Sequence, residues 1–152
     1  MSTKKSGTIG LTAAAIAVVL AGCGTAQAPE EPSPATVRPV AGSPIPRLQL
    51  TDQAIRRLGI ATQPVRMATV TIARRRGPEK VIPYSAVIYD NDGSTWSYVN
   101  TAPRTFTRER ILVLVIRGDV AILGKGPAAG SPVVTVGAPE LLGTEYNISG
   151  EE

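Results

Sequence analysis

The side chains that could take part in chemistry are few in this chain, which has no histidine and a single cysteine, Cys23. Without histidine, catalysis by imidazole and a zinc site of cysteine and histidine are both excluded. One thiol cannot form an internal disulfide. Most carboxylates fall in predicted turns, where no neighbouring group would activate a nucleophile or a base. The sequence therefore predicts a protein that is not an enzyme and that holds no metal ion or cofactor.

Two short segments have the composition of ligand-binding loops but the wrong spacing. Residues 124–126 (GKG) lack the Lys-Ser or Lys-Thr pair of a phosphate-binding loop. Residues 90–93 (DNDG) begin like a calcium loop, but the glycine comes too early and Thr101 stands where a bidentate glutamate is required. Both segments are therefore predicted to be plain turns.

The first two dozen residues are typical of a bacterial export signal. Two lysines at positions 4 and 5 precede an uncharged apolar stretch over residues 9–21. That stretch is shorter than the roughly 20 residues of a membrane-spanning helix, and its length suits the core of a signal peptide. Residues 20–23 (LAGC) resemble the lipobox of bacterial lipoproteins. This resemblance implies removal of residues 1–22 as a signal peptide and lipidation of the Cys23 thiol.

Lipid on Cys23 would decide where the protein resides. One acyl chain, such as palmitate, binds a membrane only marginally, whereas two or three chains hold a protein stably. We therefore expect a protein anchored on the outer face of the bacterial cell membrane, with membrane lipid as its partner through Cys23. Two alternatives stay open: an ordinary signal peptide cleaved after Ala26 or Ala28, and an N-terminal anchor that is not cleaved.

Composition divides the rest of the chain into a linker, one domain and a tail. Prolines recur between residues 24 and 46, which predicts a lipid-anchored, Pro-rich linker over residues 23–46 that is extended and adds nothing to a core. Residues 47–146 are long enough for one small domain, and residues 147–152 are expected to form a flexible tail. Of the 16 basic residues, two are leader lysines; the other 14 nearly balance the 12 acidic residues, so no nucleic-acid partner is indicated.

Residue patterns within the domain predict short strands joined by turns. Thr51 is a candidate N-cap for a short helix that Gly59 ends. Segments rich in valine, isoleucine and threonine predict strands over residues 65–73, 81–89, 106–116, 120–123 and 133–136, with a charged turn over residues 74–78 and one helical turn over residues 138–142. The predicted fold class is mainly β: a small antiparallel β-roll or barrel-like domain with one or two short helices.

Four side chains are candidates for contact with a partner or ligand: Trp96, Tyr98, Arg108 and Arg110. Trp96 and Tyr98 share one face of a predicted strand, where they form either part of the core or a binding platform. The arginine-rich segments form either a basic face toward anionic lipid headgroups or strand edges that charge keeps soluble. These arginines are Arg74, Arg75, Arg76, Arg104, Arg108 and Arg110.

Several stretches of the domain carry a family resemblance. Residues 50–62 (LTDQAIRRLGIAT) come first, and residues 82–87 (IPYSAV), 96–100 (WSYVN) and 133–143 (VVTVGAPELLG) follow in that order. The first is similar to the N-terminal segment, and the others to the C-terminal, membrane-proximal part, of periplasmic adaptor subunits of RND-type efflux pumps, the HlyD-type membrane-fusion proteins. Together they span most of residues 48–146. The lipoyl-like domain and helical hairpin of those adaptors have no counterpart here, so the resemblance implies an adaptor reduced to its membrane-proximal β-roll.

The resemblance implies a function that depends on contact. In full adaptors the membrane-proximal domain rests on the inner-membrane pump. We therefore expect a non-enzymatic envelope lipoprotein, an accessory or reduced adaptor module that docks on a membrane transporter of the efflux type or on another envelope protein, with strand addition at an open sheet edge as one route. The alternative is a surface-displayed module that binds a small ligand or the cell wall in a pocket near Trp96 and Tyr98. A relic without present activity is a third hypothesis.

Overall fold

Residues 33–146 are the part of the chain that the structure, a computed structural model, describes. Eleven strands lie within this range: β1 (Ala35–Val40), β2 (Ser43–Leu50), β3 (Ala61–Pro64), β4 (Arg66–Ile72), β5 (Arg75–Pro83), β6 (Ile88–Tyr89), β7 (Thr95–Ala102), β8 (Thr105–Arg110), β9 (Leu112–Arg117), β10 (Val120–Lys125) and β11 (Pro132–Val136). The same range contains the helices α1 (Asp52–Leu58) and α2 (Ala138–Glu145) and a 3-10 turn (Tyr84–Ala86). The predicted fold class, a small β-rich domain with one or two short helices, is confirmed. The predicted signal peptide, Cys23 and the tail lie outside the described residues.

The strands form two open antiparallel sheets. The first sheet has the order β1-β2-β8-β7-β11-β3, and β6 also pairs with β7. The second sheet has the order β4-β5-β10-β9. Consecutive strands pair as the hairpins β1–β2, β4–β5, β6–β7, β7–β8 and β9–β10. Short turns between strands favour this local pairing, which explains why a turn-rich sequence predicts the antiparallel class.

The first sheet is the middle layer, with the helices on one face and the second sheet on the other. Side chains alternate along β7, so that Tyr98 faces the helices and Val99 faces the second sheet. The helix-side core contains Leu48, Leu50, Ala54, Ile88, Tyr98, Phe106, Val134, Ala138 and Leu141. The inter-sheet core contains Val65, Ile82, Ala86, Val99, Ile111, Ala121, Leu123 and Val133. The first sheet therefore packs against an apolar core on each of its two faces. Its strands need apolar residues on both faces for this reason.

The chain passes from the first sheet to the second at Ile111, so the single strand predicted over residues 106–116 is wrong. β8 ends at Arg110 beside β7, and β9 begins at Leu112 beside β10. Thr95 holds this corner, because its carbonyl oxygen accepts from the Ile111 N–H at 2.9 Å and its hydroxyl donates to the Ile111 carbonyl at 2.8 Å. Ile111 is itself buried in the inter-sheet core. Residues 106–116 contain no glycine or proline that would mark this change of sheet in the sequence.

The domain begins earlier than predicted, because β1 and β2 lie largely inside the segment predicted as a linker. These strands pair with each other, so the linker over residues 23–46 is wrong from Ala35 onwards, and its first part, up to residue 32, lies outside the described range. The prolines are tolerated because β1 is an outer strand and Pro39 falls where the register is irregular. β8 pairs with β2 at only two residues, which lie near the C-terminal end of β2. The Pro-rich start of β2 therefore pairs with β1 alone among the described strands.

The helices begin and end at residues whose backbone suits a cap. The Thr51 hydroxyl accepts a hydrogen bond from the Ala54 N–H at 3.1 Å, and Gly59 has a left-handed φ of 62°. Both predicted caps of α1 are therefore confirmed. α2 is longer than the one turn predicted over residues 138–142, and Gly137 precedes it with a φ of 86°, a conformation that favours glycine.

Strands β4 and β5 form a hairpin whose outer half is not paired with the rest of the second sheet. Their register is regular over seven residue pairs. β10 pairs with β5 at residues 80–83 only, so residues 75–79 have β4 as their ladder neighbour. The 3-10 turn that follows β5 divides the strand predicted over residues 81–89. We call β4 and β5, with the turn that joins them, the ribbon.

The turn at the tip of the ribbon is tighter than predicted. Ala73 and Arg74 form it, with φ values of 46° and 69°, so the charged turn predicted over residues 74–78 is wrong, because β5 already begins at Arg75. Two consecutive left-handed residues are typical of a type I′ turn, which usually takes asparagine and glycine. Each residue other than glycine costs about 1–2 kcal/mol in this conformation, so the tip carries backbone strain.

Candidate functional site

The structure brings together the four side chains that the sequence singled out. β8 pairs with β7 so that Tyr98 lies opposite Arg108 and Trp96 lies opposite Arg110. Tyr98 is fully buried in the helix-side core, whereas Trp96 is half-buried and Arg110 is exposed. Tyr98 is therefore a core residue, and the two rings do not form an open binding platform.

Arg108 is the centre of an arginine cluster that also contains Asp90 and Glu145. Arg108 Nη1 lies 2.6 Å from Asp90 Oδ2, and Arg108 Nε lies 2.8 Å from Glu145 Oε1. The second contact has the distance of an ion pair without the alignment of a hydrogen bond. The Arg108, Asp90 and Glu145 side chains are 9%, 10% and 3% exposed. One cation thus compensates two carboxylates that are largely shielded from water.

Two tyrosines bind the carboxylate oxygens that face away from the guanidinium. The Tyr98 hydroxyl donates to Glu145 Oε2 at 2.6 Å, and the Tyr146 hydroxyl donates to Asp90 Oδ1 at 2.7 Å. Hydrogen bonds to an ionised acceptor are stronger than those between neutral groups. The four side chains therefore join the end of α2 to β7 and to the turn that follows β6.

Aromatic rings cover the guanidinium of the cluster. The Arg108 Cζ atom lies 4.5 Å from the centroid of Trp96 and 5.3 Å from that of Tyr146, which is the geometry of a cation–π contact. Arg110 lies farther from Trp96, at 5.9 Å. The Trp96 indole N–H donates to Ser94 Oγ at 2.7 Å, so the ring is held in place while it shields Arg108 from water.

The electrostatics of the cluster favour one set of protonation states. Hydrogen bonds from Tyr146 and then Arg108 lower the pKa of Asp90 to about 2. Burial disfavours the Arg108 charge, but the hydrogen bond to Asp90 and the charge of Glu145 outweigh it and raise the pKa of Arg108. Burial, with the bond to Glu145, raises the pKa of Tyr98, and the bond to Asp90 raises the pKa of Tyr146. At neutral pH Asp90 and Arg108 are therefore charged and both phenols are neutral.

Sequence reasoning found one half of this cluster and missed the other. Arg108, Trp96 and Tyr98 were identified, but Asp90 was assigned to a plain turn, and neither Glu145 nor Tyr146 was assigned a role. The predicted turn over residues 90–93 was a signal for the position of Asp90, because the strand that follows it contains Trp96. Glu145 has no such signal, since it reaches the cluster only when α2 packs on the first sheet.

The lowered pKa of Asp90 predicts a loss of stability in acid. A carboxyl whose pKa is lower in the folded than in the unfolded state stabilises the fold above its unfolded pKa, and that contribution is lost as the pH falls from about 4 to about 2. We expect the midpoint of thermal unfolding to fall over this interval, and Asp90→Asn to flatten that fall. The matched control is Asp52→Asn, whose side chain is 66% exposed. Identical acid profiles for Asp90→Asn and the unchanged chain would contradict this prediction.

A groove lies next to Arg110, on the side away from Tyr98. Its volume is about 510 Å³, and its lining residues come from both sheets. They are Gly93, Ser94, Thr95, Arg110, Ile111, Leu112 and Lys125. Of the four candidate residues, Arg110 therefore lines this groove, and Trp96, Tyr98 and Arg108 do not.

The six arginines, for which a shared basic face was one of two alternatives, lie on different parts of the domain. Arg108 is buried in its cluster, and Arg104 forms an exposed ion pair with Asp52 at 3.1 Å. The other triplet, residues 74–76, lies at the tip of the ribbon in the second sheet. A joint basic face is therefore wrong, because Arg108 and Arg110 belong to the first sheet and the triplet belongs to the second.

Strand β9 is an outer strand of the second sheet, and among the described strands it pairs with β10 alone. Three of its apolar side chains, Leu112, Leu114 and Ile116, are 49%, 43% and 39% exposed. A Cβ at Gly124 of β10 would lie 3.0 Å from Leu114 Cδ2 and 3.3 Å from Leu112 Cδ2, so glycine leaves room for both leucines. Edge strands are usually blunted by charge, proline or cover. β9 is irregular in register with β10 at two places, but it carries neither charge nor proline from Leu112 to Ile116 and presents an open, apolar edge.

Comparison with known proteins finds no family model, curated protein or solved structure that matches this chain. The resemblance to RND-type adaptors therefore stays a prediction. No helix within residues 33–146 has both the length and the apolar composition to cross a bilayer. Over the same residues, no three acidic, histidine or cysteine side chains come together as a possible metal site.

Proposed function

We propose that this protein is a non-enzymatic envelope lipoprotein whose β domain docks on a membrane transporter of the efflux type or on another envelope protein. The open, apolar edge of β9 is the observation that supports docking. The export signal and Cys23 support an anchor on the outer face of the cell membrane. The resemblance of residues 48–146 to adaptors supports the class of partner.

Docking would use the backbone and the side chains of β9 together. An edge strand carries unpaired N–H and C=O groups, and an extended segment of a partner satisfies them by adding a strand. Leu112 and Leu114 lie on one side of this edge, where they would contact apolar side chains of the added strand. Backbone hydrogen bonds would supply affinity, and the leucines would supply selectivity.

A photoreactive residue at position 114 tests this proposal in the intact envelope. We expect p-benzoylphenylalanine in place of Leu114 of the full chain to form one discrete adduct with an integral membrane protein, identified by mass spectrometry. Adding Leu112→Lys to the same chain should reduce the adduct at least about tenfold, because a lysine on the edge opposes strand pairing.

Val136 provides a matched control for this experiment. Its side chain is 49% exposed, but it lies on β11, which has β3 on one side and β7 on the other. The photoreactive residue at position 136 should give no such adduct. Equal adducts at both positions, or no adduct with a membrane protein at position 114, would overturn docking through β9.

A module that binds a small ligand is the second candidate function. The groove of about 510 Å³ beside Arg110 and Lys125 is the observation that favours it. Two cations beside Ser94 and Thr95 would suit a small anionic or hydroxylated ligand. A domain that works only in this way would give no membrane-protein adduct at position 114, so the crosslinking experiment separates the two candidates.

A further inference from the structure

The ribbon is larger than the fold requires. The β5 residues nearest its tip pair with β4 and not with β10, so this half of the hairpin has no third strand beside it. An isolated two-stranded ribbon contributes little stability of its own. Its tip is moreover closed by Ala73 and Arg74 in left-handed conformations that neither residue favours. Strained backbone residues are common at functional sites, so the side chains exposed at this tip are candidates for contact with a partner.

The tip presents a compact group of cations. Arg74, Arg75 and Arg76 are all exposed, and among the described residues none of them forms an ion pair. Lys80 lies farther along β5 and donates instead to the Gly126 carbonyl at 2.6 Å. The three arginines therefore keep their charge and their hydrogen-bond donors available to a partner.

An apolar groove lies beside the ribbon. Its volume is about 430 Å³, and β4, β5 and β10 line it together with Arg117, the last residue of β9. Val81 and Ile122 lie at its base; both are buried, and neither belongs to the helix-side core or the inter-sheet core. Arg66 and Arg117 line it as well, and Arg117 donates a hydrogen bond to the Thr71 carbonyl. Exposed cations thus border an apolar depression.

Charge is distributed unevenly between the two sheets. Residues 65–83 and 111–125, which contain the second sheet, carry seven lysines and arginines but two acidic residues. The remaining described residues carry seven basic and six acidic residues. The second sheet is therefore strongly basic although the net charge of the whole chain is modest. Such a surface attracts an anionic partner over distances up to about the Debye length.

We propose that the ribbon and its groove form a docking surface for an anionic lipid bilayer. The arginines at the tip, with Arg66 and Arg117, bind phosphate groups of the lipids, for which the planar guanidinium is suited. The groove receives apolar parts of the lipids at the interface. A nucleic acid would satisfy the arginines but leave the apolar groove unfilled, and the ribbon offers no aromatic side chain for base stacking. A membrane surface is the partner that combines negative charge with apolar groups.

This surface is separate from the edge proposed to dock on a protein. β4 is one outer strand of the second sheet and β9 is the other. β9 gives only its last residue, Arg117, to the groove, so bilayer contact through the ribbon would leave Leu112 and Leu114 at the other end of β9 free. Lipid on Cys23 would raise the local concentration of the domain at the bilayer but is not needed for the surface to bind. Failure of either proposal would therefore leave the other standing.

Vesicle binding by the full chain tests the proposal. The measured quantity is the ratio of affinities for vesicles of phosphatidylcholine with phosphatidylglycerol and for vesicles of phosphatidylcholine alone, since the apolar leader contributes to both. We expect this ratio to be well above one and to fall as salt is added. The triple variant Arg74→Gln, Arg75→Gln, Arg76→Gln should lower the ratio at least about tenfold.

The matched control removes three exposed arginines from the other side of the domain. Arg38→Gln, Arg47→Gln and Arg57→Gln change the net charge by the same amount outside the second sheet, and this variant should keep most of the ratio. Equal losses in the two triple variants would mean general charge attraction and would overturn the proposal. If the tip variant fails to fold, the salt dependence of the unchanged chain decides: a ratio near one, or one insensitive to salt, overturns it. Tighter binding of duplex DNA than of anionic vesicles would overturn it as well.

Discussion

Replacing Arg108 with alanine is expected to lower the free energy of unfolding by roughly 3–5 kcal/mol. The substitution leaves the carboxylates of Asp90 and Glu145 without their cation, although their side chains are 10% and 3% exposed. It also removes the stacking on Trp96. Urea unfolding followed by far-UV circular dichroism and by the fluorescence of Trp96, the single tryptophan of the chain, measures the loss.

Arg110 provides the control for this prediction. It is the exposed arginine two residues further along β8, on the same face, and Arg110→Ala should change the free energy of unfolding by about 0.5 kcal/mol or less. A double-mutant cycle with Glu145→Gln should show a coupling to Arg108 of about 0.5–3 kcal/mol. A decrease in the free energy of unfolding of less than about 1 kcal/mol for Arg108→Ala would contradict this prediction. It would mean that the ion pairs of the cluster are exposed to water.

Replacing Leu141 with alanine is expected to cost about 2–5 kcal/mol of unfolding free energy. Leu141 is the buried leucine of α2, with 0% of its side chain exposed, and it packs in the helix-side core. Truncation leaves a cavity between α2 and the first sheet, which can close only if the helix moves. Because Glu145 lies on the same helix, we expect the fluorescence of Trp96 to change at lower urea concentrations than in the unchanged chain.

The neighbouring leucine is the matched control for Leu141. Leu142 is half-buried against the same core, so Leu142→Ala removes the same atoms from a position that already contacts solvent. We expect a distinctly smaller loss than for Leu141→Ala. Equal losses for the two variants would contradict the placement of Leu141 in the interior, and would indicate that α2 faces the sheet through a different side.

Both predictions concern the attachment of α2, which bears on the proposed function. The helix is held by apolar packing at Leu141 and by charge at Glu145, on the face of the first sheet that is remote from the second sheet. The β9 edge and the ribbon lie in the second sheet. A variant that loosens α2 without unfolding the sheets should therefore leave crosslinking at position 114 and vesicle binding unchanged.

Local features of this protein were determined by its sequence alone. The fold class followed from turn residues at short intervals and from segments rich in β-branched residues, and the caps of α1 followed from Thr51 and Gly59. The turn after Asp90 and the hairpin that contains Trp96 were also predictable. In each case the controlling interaction lies within a few residues, so composition and spacing carry enough information.

Features that depend on contacts between distant parts of the chain were decided only by the tertiary structure. The strand predicted over residues 106–116 is divided at Ile111, where the backbone passes between the sheets, and the prolines before residue 47 are compatible with strands because the structure places them near an edge. The arginine cluster needs Glu145, which is 37 residues from Arg108 in sequence and meets it only after α2 packs. The local sequence of a segment predicts its conformation. The distant segments that it contacts depend on burial, strand register and charge compensation over the whole domain, and no single segment carries that information.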